Sequence, residues 1–240
     1  MKKLPFIVSL LFLQINSSFA QNVDLGTWNI LNMKYNINRK WSAFGEGQIR
    51  SLKFYNNFHY YEYKGGVNFK AHKNANVTMG IGSYQTFKEG GNFLTPKNND
   101  ELRIWPQITV FQSIGELKIE QRYRAEFRFT SSGYRNRFRY RIGVSYPFGN
   151  MKNNFKPFVI SASNELFFTN KEPYFERNRI ALAFNYKPSK SSTIQIGYIH
   201  QFDYKINDET GRDFLQIGYY IEFNRNTSQP NTNEIEIKDN

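Results

Sequence analysis

The stretch LKIEQRYRAEFRF at residues 117–129 is followed by a six-residue break (TSSGYR, 130–135) and then by NRFRYRIGVSY at residues 136–146. In both arms, apolar residues alternate with polar ones, most of which are charged. A period of two is that of a β-strand with one apolar and one polar face, whereas a helix would scatter the arginines around its circumference. The stretch therefore predicts a long β-hairpin with one apolar face and one densely charged face.

The same alternation recurs from Leu25 to Phe223, where we count eleven strand-like segments with no helical periodicity between them. The segments run to about 10–13 residues, whereas strands of soluble proteins are usually nearer 5–6 residues. A tilted strand that crosses a membrane needs about 9–11 residues. The pattern therefore predicts an all-β fold, an antiparallel up-and-down transmembrane β-barrel.

The strand count of the barrel follows from how it closes. Eleven strands would put the first and last strands parallel to each other, and bacterial single-chain barrels have even counts. We therefore predict about twelve strands, with ten as the alternative. Pro106 lies inside one segment and predicts a bulge or an unpaired site there, because proline lacks the N–H group of a ladder. The longest break between segments is predicted at residues 88–100.

The first twenty residues predict a cleaved signal peptide. Lys2 and Lys3 form a basic region, an apolar stretch follows from Leu4 to Leu13, and Ser18-Phe19-Ala20 is a small-x-small cleavage site. We expect cleavage after Ala20, a barrel over residues 21–223, and a polar, disordered tail over residues 224–240.

The composition agrees with export. The chain has no cysteine and carries a net charge of +12 from 32 basic and 20 acidic residues. A basic balance often points to nucleic acid, but an exported protein rarely meets any, so we expect no nucleic-acid partner. Aromatic residues make up 18% of the chain, and membrane barrels use them in girdles at both interfaces. The mean hydropathy of −0.64 does not exclude a barrel, because its lipid-facing and lumen-facing residues average out.

The last strand resembles the signal by which outer-membrane barrels are recognised for assembly, a polar residue, a glycine, a hydrophobic residue and an aromatic residue at fixed spacing. Gln216, Gly218, Ile221 and Phe223 fill these positions. The resemblance implies the barrel-insertion machinery as a partner and the bacterial outer membrane, with its lipid, as the location.

The whole mature chain also resembles an uncharacterised family of Gram-negative outer-membrane β-barrels, the domain-of-unknown-function family 2490. The motifs that carry this resemblance, in chain order, are Gly26-x-Trp28, Trp41 followed by Glu46-x-Gln48-x-Arg50, Glu101-Leu102-Arg103, Gln121-Arg122-Tyr123-Arg124-x-Glu126, Arg137-Phe138-Arg139-Tyr140 and Arg177-x-Arg179. The family has no assigned activity, so the resemblance implies a fold and a location but no chemistry.

Charged residues of one strand parity are expected to line the lumen as a charge ladder. These are Glu46, Arg50, Arg103, Glu120, Arg122, Arg124, Glu126, Arg137, Arg139, Arg141, Arg177 and Arg179, and Glu62, Glu101 and Glu165 share their parity. One interpretation is a structural scaffold, in which cross-strand pairs of arginine and carboxylate hold the register. The other is a narrow porin-like pore that favours small anionic solutes, because arginines outnumber glutamates. Both involve no catalysis and no cofactor.

Two further hypotheses stay open. The first is a membrane-embedded lipid-modifying enzyme, with outward-facing His200 as its base and Ser83 as a conceivable nucleophile, although nothing in the sequence brings them together. No two histidines have metal-ligand spacing, so no metal site is predicted. The second is a soluble exported β-barrel that acts as a binding module, because periodicity alone does not say which face meets water.

Overall fold

The computed structural model describes residues 24–151, 154–204 and 209–225, and strands dominate these ranges. No helix in these ranges is long and apolar enough to cross a membrane. The strands are β1 (Leu25–Asn36), β2 (Trp41–Lys53), β3 (Asn56–His72), β4 (Ala75–Lys88), β5 (Leu94–Ile114), β6 (Leu117–Thr130), β7 (Gly133–Phe148), β8 (Phe158–Thr169), β9 (Phe175–Ser189), β10 (Ser192–Asp203) and β11 (Thr210–Asn224).

The described strands form one closed barrel in which each strand is antiparallel to the next along the chain. The barrel closes between β1 and β11, which run parallel, with Leu25 opposite Asp213 and Asn36 opposite Asn224. The prediction of twelve strands, or of ten, is therefore wrong. The eleven segments seen in the sequence are the strands, and a parallel seam allows the odd number that an all-antiparallel closure would forbid.

The two faces of the barrel wall differ sharply in polarity. Alternate residues of each strand point outward, and the outward set is largely apolar, with Leu182 and Ile196 exposed by 56% and 55%. The inward set is polar and charged, and it includes Glu126, which is 1% exposed. The alternating pattern of the sequence thus corresponds to a barrel wall whose outer face is apolar and whose inner face is charged.

Strand β5 differs from its prediction in length. It begins at Leu94, so the break predicted over residues 88–100 shrinks to residues 89–93. Trp105 and Pro106 have no partner in the pairing of β5 with β6. The register is the same on both sides of this gap, since Ile104 pairs with Phe127 and Gln107 pairs with Arg124. This is the unpaired site that the proline predicts.

Short turns connect several of the hairpins. The turn between β5 and β6 contains only Gly115 and Glu116, and Gly115 has a φ of +58°, a conformation that favours glycine. Lys156, in the connection between β7 and β8, donates from Nζ to both carboxylate oxygens of Glu116 at 2.5 and 2.6 Å. These bonds hold the pKa of Glu116 below its ordinary value.

The predicted signal peptide, residues 1–20, lies outside the described residues, as does most of the predicted tail. The described barrel runs from Leu25 to Asn224, one residue beyond the predicted end. The division of the chain into signal, barrel and tail stays a prediction.

Candidate functional site: the charged interior of the barrel

The interior of the barrel holds a cavity of about 1320 Å³ lined by charged, amide and aromatic side chains. Eleven of the twelve residues of the predicted charge ladder line this cavity: Glu46, Arg50, Arg103, Glu120, Arg122, Arg124, Arg137, Arg139, Arg141, Arg177 and Arg179. The remaining one, Glu126, lies beneath the arginines rather than at the cavity surface.

Glu126, on β6, is the most enclosed carboxylate of the ladder. Arg137 donates to its Oε2 at 2.6 Å, and Arg139 donates to its Oε1 at 2.6 Å. Arg124 lies 3.7 Å from the same Oε1. One buried carboxylate therefore faces three guanidinium groups, an arrangement in which charge-assisted bonds offset the cost of removing the carboxylate from water.

Glu165, on β8, is a second centre of the same kind. Its Oε1 accepts from Arg122 at 2.5 Å and from Arg139 at 2.8 Å, and its Oε2 lies 3.5 Å from Arg179. Arg139 thus bridges Glu126 and Glu165 and joins the two centres into one network.

Glu101 and Glu176 extend this network on both sides. Glu101 binds Arg103 on its own strand at 2.6 Å and Arg128 on β6, whose Nη2 lies 2.9 Å from Glu101 Oε2. Glu176, on β9, accepts from Arg137 at 3.0 Å and lies 3.5 Å from Arg128. Because Arg128 and Glu176 are three strands apart, this contact crosses part of the interior instead of following the wall.

A separate network covers the wall formed by β1, β2 and β3. Lys64 donates to Glu46 at 2.6 Å and to Glu62 at 2.5 Å. Arg50 Nη2 lies 3.2 Å from Glu62 Oε2, and the hydroxyl of Tyr60 also donates to Glu62. Two basic and two acidic side chains therefore balance each other on this wall.

Inward-facing aromatic rings lie between the charged groups and narrow the interior. The guanidinium carbon of Arg50 is 3.4 Å from the ring centre of Trp28, and that of Arg179 is 4.7 Å from the same ring. Arg179 also lies 4.9 Å from the ring centre of Phe167. Because Trp28 is on β1 and Phe167 on β8, Arg179 connects the two charged walls through cation–π contacts.

The barrel register sets arginines opposite arginines. In the pairing of β6 with β7, Arg122 faces Arg141 and Arg124 faces Arg139. Cross-strand pairs of arginine and carboxylate, which the sequence predicts, also occur on these strands: Glu126 directly faces Arg137 and binds it at 2.6 Å. Glu126 in addition reaches Arg139 diagonally.

Several interior residues were absent from the predicted set. Arg128 has the parity of the ladder, so the sequence pattern could have included it beside Glu62, Glu101 and Glu165, which the parity does place inside and which line the cavity. Trp28, Trp105 and Phe167 also alternate with outward residues, and a strict reading of parity would have placed these rings inside. Glu176 and Asp203 lie at strand ends, where periodicity is weakest.

The four residues of the predicted assembly signal occupy β11. Gln216 points inward and accepts from Gln195 Nε2 at 2.7 Å, and a Cβ atom added to Gly218 would lie 2.6 Å from Tyr220 Cε2. Ile221 and Phe223 have the outward parity. A larger residue at position 218 would therefore have to displace the ring of Tyr220, whatever recognises the strand.

The proposed pair of His200 and Ser83 is not assembled. His200 Nδ1 lies 2.7 Å from Asp213 Oδ1, and the hydroxyl of Tyr198 donates to the same oxygen at 2.5 Å. Ser83 lies on β4, five strand-to-strand steps from β10 along the shorter path round the barrel. At about 4.8 Å for each step, the two side chains are too far apart for proton transfer. In the ranges that the structure describes, no cluster of three histidine or carboxylate side chains could hold a metal ion.

No curated protein matches this chain. A solved structure described as "NanC porin structure in rhombohedral crystal form" aligns at 14% sequence identity, covering 73% of this chain and 84% of that chain, with a TM-score of 0.46. The family described as "Protein of unknown function (DUF2490)" matches residues 25–212, which span most of the barrel. The chain therefore belongs to the DUF2490 family, as its sequence motifs predict.

Proposed function

We propose that this protein is a transmembrane β-barrel of the bacterial outer membrane whose basic interior favours small anions and performs no catalysis. The observation that carries the proposal is the polarity of the wall, with charged side chains inside and apolar side chains outside. Phe127 and Ile142, each 40% exposed, and Leu182, 56% exposed, all point away from the interior.

A membrane explains this polarity better than water does. Apolar surface in water costs roughly 25 cal/mol for each Å², and here it surrounds the barrel. A closed barrel also pairs its backbone groups between neighbouring strands, which is what a hydrocarbon environment demands of a β-structure. The alternative of a soluble exported barrel would require the opposite polarity, with Leu182 packed in a core and the arginines in solvent.

The location and the partners are part of the proposal. A signal peptide cleaved after Ala20 would export the chain, and the motif of Gln216, Gly218, Ile221 and Phe223 would present β11 to the barrel-insertion machinery. The apolar exterior would then contact outer-membrane lipid. Fractionation of cells tests this step: we expect the protein with outer membranes after salt washing, and release by osmotic shock or salt would contradict it.

The preference for anions follows from the charge balance of the interior. The basic side chains that line the cavity are Lys34, Arg50, Lys64, Arg103, Lys118, Arg122, Arg124, Arg128, Arg135, Arg137, Arg139, Arg141, Lys171, Arg177, Arg179 and Arg212. They outnumber the carboxylates of the interior, which are Glu46, Glu62, Glu89, Glu101, Glu120, Glu165, Glu172, Glu176 and Asp203 at the cavity surface and Glu126 beneath it. On the wall of β1, β2 and β3, Lys34 is paired with Glu222 and the remaining charges balance, so most of the surplus lies on the wall of β5 to β9.

Conductance in planar bilayers tests the pore. Under a salt gradient, the purified barrel should give a reversal potential that indicates anion selectivity, because rings of arginine favour anions. Replacing Arg124 and Arg139 together by alanine should move this potential toward zero. Replacement of Lys73, which lies in the turn between β3 and β4, is the control and should leave it unchanged. A silent wild-type barrel would contradict the pore and leave the networks as a structural scaffold.

A further inference from the structure

One pair of opposed arginines in the interior makes fewer hydrogen bonds than the others. Arg103 and Arg128, opposed between β5 and β6, share Glu101. In the pair of Arg124 and Arg139, Arg139 binds both Glu126 and Glu165. Like charges directly opposite each other destabilise a sheet, so each such pair needs carboxylates close by.

In the pair of Arg122 and Arg141, each arginine donates through a single nitrogen, Nη2. Arg128 also faces Arg135, but Arg128 donates through all three of its nitrogens. Arg122 donates to Glu165 Oε1, an oxygen that also accepts from Arg139. Arg141 binds Glu120, whose side chain is 34% exposed. Within the described part of the chain, Nη1 of neither arginine has a hydrogen-bond partner. Two guanidinium groups with their Cβ atoms about 5 Å apart therefore present free donors to the cavity.

The wall beside this pair leaves room for a ligand. Along β7, β8 and β9 the next inward positions are small: Gly143 faces Ser163, and Ser163 faces Ala181. Ser161 and Ala183 follow in the same way, and all five residues line the cavity. Small side chains and free guanidinium donors therefore lie side by side on this wall.

We infer that Arg122 and Arg141 form a binding site for a small oxyanion, a carboxylate or a phosphate, within the barrel. The planar guanidinium group matches the oxygens of both anions, and two such groups side by side hold one anion through several donors. The bound anion offsets the repulsion between the two arginines, and the hydroxyl of Ser163 lies on the adjacent strand. This site rests on the proposed function, because it assumes that solutes enter the interior.

Calorimetric titration of the detergent-purified barrel with acetate and with inorganic phosphate tests the site. We expect saturable binding of at least one of the two anions, and the comparison assigns the site to carboxylate or to phosphate. Replacing Arg122 or Arg141 by glutamine should weaken binding by about tenfold or more, since a hydrogen bond to a charged group is lost. Both changes should leave the fold intact, because Glu165 keeps Arg139 and Arg179, and Glu120 is partly exposed.

Arg135→Gln is the matched control, because it removes one positive charge from the same lumen at a position outside this pair. It should change the affinity by less than about twofold. Equal weakening by the glutamine substitutions of Arg122, Arg141 and Arg135 would overturn the site, because it would show that the anion responds only to the overall positive potential of the lumen. Arg122→Lys should bind more weakly than the wild type, because a lysine keeps the charge but loses the planar fork.

The absence of saturable binding to the wild-type barrel would overturn the inference. The titration in micelles needs no conduction, so the two proposals fail separately. A conducting barrel without saturable binding overturns the site alone. A barrel that binds phosphate or acetate without conducting supports the site and overturns the pore.

Discussion

The indole ring of Trp105 occupies the space that a Cβ atom of residue 80 would need. A Cβ atom added to Gly80 would lie 2.7 Å from Nε1 of Trp105 and closer still to two of its ring carbons. Gly80 and Trp105 face each other in the pairing of β4 with β5, and Trp105 is completely buried. The absence of a side chain on one strand thus makes room for a large ring on the next.

Gly80→Ala should therefore destabilise the barrel. The methyl group would push against the middle of a rigid ring, and such overpacking typically costs about 1–3 kcal/mol. The free energy of unfolding in urea, measured on the barrel refolded into lipid vesicles, gives the value.

Gly47→Ala is the control for this change, because an added Cβ atom there meets nothing within 4 Å. Both substitutions stiffen the unfolded chain in the same way, so their difference isolates the clash with the ring. Equal stabilities for the two variants would contradict the packing of Trp105 against Gly80.

Glu126→Gln should be strongly destabilising. The substitution removes the negative charge that faces Arg124, Arg137 and Arg139, and breaking a buried ion pair from one side typically costs about 3–5 kcal/mol. Glu120→Gln is the matched control, since Glu120 has Arg141 as its partner and is partly exposed, and it should cost less than about 1 kcal/mol. If Glu126→Gln lowered the free energy of unfolding as little as the control does, the surroundings of Glu126 would have to be well hydrated.

Leu182→Arg tests whether lipid contacts the exterior. Leu182 lies in the middle of β9 and points outward, and an arginine at the centre of a bilayer costs about 2–4 kcal/mol. Ile114→Arg, at the last residue of β5, places the same charge near the rim and should cost about 0–1 kcal/mol. Stabilities measured in vesicles should differ accordingly, and two equally harmless substitutions would indicate an exterior in water.

Phe223→Ala should reduce assembly in cells more than it reduces stability. Phe223 fills the aromatic position of the motif in β11 and is 49% exposed, so it contributes little to packing. We expect several-fold less folded barrel in outer membranes but unchanged refolding of the purified chain into detergent micelles. Phe138→Ala, which removes an outward ring of 53% exposure from β7, should leave both quantities unchanged. Equal yields of the two variants in cells would contradict the role of β11 as an assembly signal.

Periodicity predicts the interior well because it is a local property. Successive side chains of a strand point to opposite faces, so the parity of Arg122, Arg124 and Glu126 places them on the same face whatever the rest of the chain does. The same rule places Trp105 and Phe167 inside, although large aromatic rings on a charged face run against the simple division into apolar and polar sides.

Closure and pairing depend on the whole barrel and could not be read from one segment. The parallel seam of β1 with β11 gives eleven strands where the even-number rule predicts twelve. The separation of Ser83 from His200 depends on the order of strands round the barrel, which local sequence does not encode.

The sequence by itself determined that the chain forms long two-faced strands and which residues share the charged face. The tertiary structure decided that this face is enclosed, that Arg122 lies opposite Arg141, and that Glu126 contacts three guanidinium groups. The reason is physical: alternation is fixed by the geometry of each residue, whereas register and closure are fixed by hydrogen bonds and packing between residues far apart in the chain.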